Sequence, residues 1–583
     1  MSVRPGRPLA GDASVGVLIA LVAVFAVIRA HHVPLLLVAV ATGSAAAAGL
    51  AFVVWRASRG PVGPGGTAAW RRSSPSWARA GVRSSATARR TAGRDNGWAS
   101  RRVLRRLLLE EIPSGRVLLG MIGRRTFVAA EERQSVIVVG PSQSGKTTGV
   151  VVPAIVNWDG PVLATSVKSD ILRLTVEQRR RRGAVAVYDP TRSTGAATIG
   201  WSPLVAAGTW PGARRIASAM CSVAEAEGGM QDARFWYASA EKLLATLFFA
   251  ASIAGASMSD VVRWVDDQEV QEPLLALQLA GVEEASRAAR ASFAREERQR
   301  SSVFATAETV ISAFADPEVA SSTARRSFDP GMLLGAPPEL LTLYCCAPAR
   351  EQERLRPVFT AILREVLDAA FAASTRTGEP LDPGLLVVLD EAANVAPLAE
   401  LDTVLATAAG HGIQLVTVWQ DIAQIEARYG RRSSTIVNNH KAKLVLPGVS
   451  DPMTLDHVSS LVGEREAFHL SRTVDEEGHR SRTEATSTER LLTAGSIRQL
   501  PAGEVVLLYG SLPPAKIRCL AGTGEATWSG RAAEPSGGAQ GDHRRWPVRR
   551  SDRGAPPVEA AVSAGGATRR RRSGAPCGKG SAE

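Results

Sequence analysis

The stretch Val136-Ile137-Val138-Val139-Gly140-Pro141-Ser142-Gln143-Ser144-Gly145-Lys146-Thr147-Thr148 decides how the rest of the chain is read. A short β-branched apolar run leads into a glycine. Four residues follow, then Gly-Lys-Thr, then a helix-compatible segment. This is the G-x-x-x-x-G-K-T spacing of a phosphate-binding loop in its strand–loop–helix setting. Each residue type has a physical task. Gly140 and Gly145 let backbone N–H groups turn onto a polyphosphate, with Pro141, Ser142, Gln143 and Ser144 completing the loop and Thr148 closing it. The N-terminus of the next helix adds partial positive charge. Lys146 is expected to reach the β- and γ-phosphates, and Thr147 to hold Mg²⁺.

Working outward, strands and helices alternate. Residues 161–165 and 184–188 read as strands and 168–182 as a helix, so the loop belongs to an α/β domain with a parallel sheet. Pro153 is expected to kink or end the helix after the loop. From about residue 208 to 329 strand signals nearly vanish. Val303, Phe304, Ala307, Val310, Ile311 and Phe314 instead fall on one helical face, which predicts an all-helical insertion. The sheet resumes at 340–345, and a helix over 356–372 would hold Pro357 in its first turn. Leu385-Leu386-Val387-Val388-Leu389-Asp390-Glu391 is an apolar strand ending in two carboxylates. Asp390 is expected to bind Mg²⁺ through water and Glu391 to polarise the attacking water. A strand over 413–419 ends at Gln420, placed to sense the γ-phosphate or orient water. Further strands are expected at 443–446, 504–509 and 515–519, and a helix over 452–462.

The ends differ from this body. Residues 15–28 and 33–55 are uncharged and apolar, and the second is long enough to cross a bilayer of ~30 Å. They predict a transmembrane hairpin over 13–55 rather than a cleaved signal peptide. Residues 56–106 hold thirteen Arg, no Lys and one acid, Asp95. The positive-inside rule therefore places this flank, both termini and the bulk of the chain on the cytoplasmic side of the cell membrane. The segment 56–102 is expected to be a flexible basic collar lying along anionic lipid. Residues 522–583, with Arg569 to Arg572 in a row, read as a disordered basic tail. The body divides into a nucleotide-binding domain in two parts, 103–207 and 330–521, around the helical insertion 208–329. Net charge of +13 favours anionic partners. The five cysteines show neither metal-ligand spacing nor a disulfide framework, and neighbouring Cys345 and Cys346 should face opposite sides of a strand. His411 and His440 are isolated, and no nucleophile triad is present.

Together these features resemble the TraG/TraD-like type IV coupling proteins of conjugation and type IV secretion. Local strings carry the resemblance: Thr165-Ser166-Val167-Lys168-Ser169-Asp170, Tyr188-Asp189-Pro190, Trp201-Ser202-Pro203-Leu204, Asp390-Glu391-Ala392-Ala393-Asn394, Trp419-Gln420-Asp421 and Arg498-Gln499-Leu500-Pro501-Ala502-Gly503-Glu504. The resemblance covers about residues 13–520. It implies a RecA-like motor domain with a membrane-distal helical domain. It also implies a homo-hexamer at the inner face of the membrane, hydrolysing ATP with Mg²⁺ between neighbouring subunits. The implied cargo is DNA, held largely without sequence preference, together with a relaxase-type protein, and the implied destination is a type IV secretion channel. One departure stands out. Relatives often carry an arginine shortly before the strand that ends in the glutamine. Here that stretch is Ala408-Ala409-Gly410-His411-Gly412, so the arginine finger acting in trans is unassigned. Arg428, Arg431 and Arg432 are candidates by sequence proximity. Two other readings are an adaptor that uses ATP only to assemble and dock proteins, and a chromosome pump of the FtsK type. The short anchor and the position of the insertion argue against the pump.

Overall fold

The computed structural model describes residues 97–520, apart from residues 112–114, 124, 167–168, 226–232, 325–327, 336–339 and 475–479. The expected hairpin over 13–55, most of the collar and the tail from 522 lie outside these residues. Among the described residues no helix is long and apolar enough to cross a membrane.

Fourteen strands follow one another in the described chain: β1 (Leu108–Leu109), β2 (Leu118–Ile122), β3 (Thr126–Ala129), β4 (Val136–Val139), β5 (Val162–Ser166), β6 (Ala184–Tyr188), β7 (Leu341–Cys346), β8 (Leu385–Leu389), β9 (Ile413–Trp419), β10 (Ala442–Val445), β11 (Glu464–Val474), β12 (Arg480–Arg490), β13 (Glu504–Tyr509) and β14 (Ala515–Arg518). Twelve form one sheet in the order β1-β3-β2-β14-β13-β10-β4-β9-β8-β5-β7-β6. From β10 to β6 every pairing is parallel, and from β13 to β1 every pairing is antiparallel.

The parallel strands are largely apolar because both faces are covered. Alternate residues serve two cores. Ile137, Val139, Leu163, Leu343, Cys345, Val387 and Leu415 face one side. Val138, Ala164, Tyr344, Cys346, Val388 and Val416 face the other. Cys345 and Cys346 accordingly separate, as the period of two requires.

Between β6 and β7 the described residues contain helices and no strand. The longest are Trp210–Glu225, Ala233–Ala254 and Glu297–Ile311. Leu243, Leu244, Leu247 and Phe248 are fully buried, and they belong to the same core as the first sheet face. The buried residues of the helical segment are thus continuous with the core on that sheet face. The helix Gln352–Thr377 is longer than the sequence suggests, and Pro357 sits inside it rather than in its first turn. Val358, Phe359, Ile362, Leu363 and Val366 are fully buried along it. That burial outweighs the hydrogen bond a proline removes, which costs about 3 kcal/mol.

Candidate functional site

Parallel register brings the predicted residues to one edge. Val139 pairs with Trp419 and Leu389 with Thr417. The phosphate loop after β4, Gln420 after β9 and Asp390 after β8 therefore emerge side by side at the carboxyl ends of three adjacent strands. Adjacent strands lie about 4.8 Å apart, so β4 and β8 are roughly 10 Å apart with β9 between them. Gly140 N donates to the Trp419 carbonyl (3.1 Å) and Ala392 N to the Val418 carbonyl (3.1 Å), which ties both loops to β9.

The loop's shape depends on its glycines. Gly145 has φ +90°, a conformation that side chains oppose, and Gln143 also has positive φ (63°). A Cβ on Gly140 would meet Ser144 Oγ at 2.7 Å and Leu446 Cβ at 2.9 Å. Ser144 Oγ is buried and has no hydrogen-bond partner among the described residues. A tight backbone cradle holding an unsatisfied hydroxyl fits a phosphate ligand, because a buried polar atom without a partner is costly. Ser142, Gln143 and Thr148 are exposed, and Pro141 and Thr147 are half-buried. The following helix opens with a π turn, Thr147–Val151, and continues as Val152–Asn157. Pro153 has no N–H to offer Gly149, and the wider turn lets Val152 N–H close onto the Thr147 carbonyl. The helix does not end at Pro153, since its α-helical residues run on to Asn157.

Lys146 Nζ donates to the carbonyls of Gly140 and, at 2.8 Å, of Pro141. Burial lowers the pKa of its ammonium below the ordinary lysine value, while the charges of Asp390, Glu391 and Asp421 act in the opposite direction. Those three carboxylates are thus close enough to be felt by the loop lysine. Glu391 holds φ +56°, unusual for a residue with a side chain. It is clamped by Asn394, whose N–H donates to the Glu391 carbonyl at 2.8 Å and whose amide reaches Oε2 at 3.5 Å. Arg356 Nε in turn donates to the Asn394 carbonyl at 2.8 Å.

Gln420 is positioned by its neighbours. Its N–H donates to Gln424 Oε1 (3.1 Å), while Gln424 N–H donates to Asp421 Oδ1 (2.7 Å), which caps the helix Ile422–Tyr429. Below it, Trp419 Nε1 donates to Thr417 Oγ1 at 2.9 Å, and Thr417 Oγ1 lies 3.0 Å from His440 Nε2. His440 Nδ1 donates to the Ile436 carbonyl (2.8 Å), so Nε2 accepts from Thr417. Burial lowers the His440 pKa to about 4, which keeps this chain of bonds neutral.

Other motif residues serve the fold. Asp189 accepts from Thr191 Oγ1 (3.0 Å) and Thr194 N (2.6 Å), organising the loop after β6. Trp201 Nε1 donates to Glu365 Oε2 at 2.7 Å. His411 Nδ1 lies 3.2 Å from Ser374 Oγ. Of the finger candidates, Arg428 donates to the Val223 carbonyl (3.4 Å) and Arg432 pairs with Asp402 (3.2 Å), while Arg431 is exposed. The sequence alone assigns no role to Asn394, Arg356 or Gln424. Of the three only Asn394 falls in a quoted string, and the task of each follows only from three-dimensional contacts.

The family model described as type IV secretory system conjugative DNA transfer matches residues 110–521. The chain is similar to the conjugal transfer protein TraG of Escherichia coli, 25% identical over 423 residues, covering 65% of this chain and 66% of that protein. Protein VirD4 of Rhizobium radiobacter is 20% identical over 404 residues, 67% of this chain and 57% of the relative. The chain therefore spans less than two thirds of the length of these relatives. Among solved structures, the unbound bacterial conjugative coupling protein TrwB superposes with a TM-score of 0.55 at 19% identity, over 72% of this chain and 91% of that one. TrwB in complex with ADP and Mg²⁺ gives a TM-score of 0.53 at 18% identity, over 72% and 92%. The mixed α/β fold is thus shared with TrwB, and on the match over 110–521 the chain belongs to the type IV secretory system conjugative DNA transfer family.

Proposed function

We propose that this protein is an ATPase of a conjugative DNA-transfer system, anchored in the cell membrane by residues 13–55 and driving a DNA or DNA–protein cargo toward a type IV secretion channel. The observation that carries this reading is the gathering of Lys146, Asp390 and Glu391 at one sheet edge beside an unsatisfied loop hydroxyl. The TrwB complexes with ADP and Mg²⁺ and with a non-hydrolysable ATP analogue support the ligand class. Bound MgATP supplies the reactive phosphorus and the metal's charge. Gly140 to Thr148 hold the phosphates, and Lys146 turns from its loop carbonyls to neutralise them. Thr147 and, through water, Asp390 would hold Mg²⁺. Glu391 takes the proton of the attacking water, which Gln420 orients. A RecA-like motor core with a helical domain inserted at 208–329, assembled as a homo-hexamer, would convert this switching into movement of a strand. Contacts to DNA would be mainly to phosphates and so weaken with salt. A relaxase-type protein is the expected companion of that strand.

The test is ATP turnover by the full chain with and without single-stranded DNA. Turnover stimulated by DNA and lost in Lys146→Ala and Glu391→Gln is expected. Nucleotide binding without turnover would instead support an adaptor that uses ATP only to assemble.

A further inference from the structure

Three consecutive residues near the start of the helix Gln352–Thr377 have three different attachments. Arg354 reaches the helical segment, where its Nη1 donates to the Ala313 carbonyl (3.3 Å) and its Nη2 to Asp316 Oδ2 (3.0 Å). Leu355 is fully buried in the core that the helical segment shares with the sheet. Arg356 reaches the candidate site, where its Nε donates to the Asn394 carbonyl at 2.8 Å. With Leu355 fixed between them, neither arginine can shift far without the other, because close-packed interiors transmit displacement.

The Asn394 contact gains its weight from Glu391. At φ +56° that residue holds a conformation that persists only where its surroundings impose it, and such strain gathers at working sites. The N–H groups of Asn394 and Val395 both donate to the Glu391 carbonyl, at 2.8 and 3.2 Å, and the Asn394 amide reaches Oε2 at 3.5 Å. Arg356 thus holds the residue that holds the carboxylate. Its guanidinium does so at a cost. Burial, and then the neighbouring charge of Arg428, lower its pKa, and burial lowers that of Arg428 as well. Arg428 lies on the helix that follows Gln420 and Asp421, and it donates to the Val223 carbonyl of the helix Trp210–Glu225 at 3.4 Å. The strand ends that carry Glu391 and Gln420 are therefore each tied by an arginine to elements continuous with the helical segment.

We infer that Arg356 is a positioning residue for Glu391, acting through Asn394, and that the Arg354–Asp316 pair makes its placement depend on the helical segment. The inference rests on the ATPase reading. It gives the helical segment a route to hydrolysis: a load that moves residues 313–316 moves Arg354, Leu355 and Arg356, and with them the turn that aims the carboxylate at the attacking water.

Steady-state turnover by the full-length protein in detergent tests it, with titration of a non-hydrolysable ATP analogue and thermal melting alongside. In Arg356→Ala kcat should fall roughly 10²-fold, the loss expected when a reacting group is displaced by about 1 Å. KM, analogue affinity and melting temperature should stay as in the wild type, because the phosphate loop is untouched. Arg356→Lys keeps a charged donor and should recover most of the lost turnover. Combining Arg356→Ala with Asn394→Ala should cost no more than the worse single change, since both act on one contact. Asp316→Asn keeps the acceptor for the Glu318 N–H (2.8 Å) and removes the charge that Arg354 grips, so its kcat should fall several-fold at unchanged KM. Wild-type kcat in Arg356→Ala overturns the inference, and so do effects of Arg356→Ala and Asn394→Ala that multiply. Wild-type kcat in Asp316→Asn overturns the dependence on the helical segment. Should Arg356→Ala melt early, Arg356→Met, which keeps the apolar stem, is judged by the same criteria. There, a fall in melting temperature or analogue affinity that accounts for the lost turnover overturns the inference. Absence of turnover in the wild type is a separate outcome and counts against the ATPase reading itself.

Discussion

Glu391 and Gly145 both hold backbone conformations that ordinary residues avoid, one on each side of the site. At Gly145 the conformation is free of cost only because no Cβ is present. Gly145→Ala should therefore strain the loop by about 1–2 kcal/mol and weaken analogue binding roughly tenfold, as read by calorimetric titration. At Glu391 the strain is tolerated because Asn394 and Ala392 hold the turn. Asparagine accepts positive φ better than most residues. Glu391→Asn should keep the melting temperature of the wild type while abolishing ATP turnover, whereas Glu391→Val should lose both. Equal stability of the two variants would show that the turn is not strained. Lys146 depends on its surroundings in the same way: three nearby carboxylates sustain its charge against burial.

At the scale of elements, the helix Gln352–Thr377 carries a buried acid that responds to pH. Glu365 accepts from Trp201, and burial raises its carboxyl pKa from 4.5 to about 8, with Asp329 and Asp368 adding to the rise while the Trp201 bond and Arg215 oppose it. The unfolded chain loses this proton near pH 4.5 and the folded chain keeps it until about 8. Its stabilising effect is whole below pH 4.5 and falls as pH rises, by up to about 4 kcal/mol near pH 8. Glu365→Gln keeps an acceptor for Trp201 and removes the proton. Its melting temperature should thus fall less than that of the wild type between pH 6 and pH 9, and parallel curves would contradict the assignment. The elements legible in the sequence were those whose pattern matched their burial. β4, β5, β6, β8 and β9 are mainly apolar runs and are expected within a residue or two of where they lie. The hairpin of β11 and β12 was not expected. Its described contacts are polar, such as Arg465 with Glu489 at 3.8 Å, so no apolar alternation marks it. β1, β2 and β3 are apolar but only two to five residues long and set among arginines and glycines, too short to show a period. Within the candidate site, the loop is legible because its chemistry demands fixed spacing, and the two acids because an apolar strand ending in carboxylates follows such a loop. The supports Asn394, Arg356 and Gln424 were not, since hydrogen bonding to a backbone carbonyl leaves no spacing rule.

For the whole molecule, the sheet provides a reason for the distance in sequence between Lys146 and Glu391. The chain leaves β4, passes through β5 and β6, builds the helices that follow, and returns through β7 before β8 brings the acids back beside β9. The phosphate loop and the acids thereby share the carboxyl ends of three neighbouring strands. The most direct check on this account is an experimental structure with Mg²⁺ and a non-hydrolysable ATP analogue. It should show the γ-phosphate between Lys146 Nζ and the Glu391 carboxylate, with Thr147 and Asp390 at the metal. A nucleotide bound elsewhere, or a pocket with no room for one between Lys146 and Glu391, would contradict it.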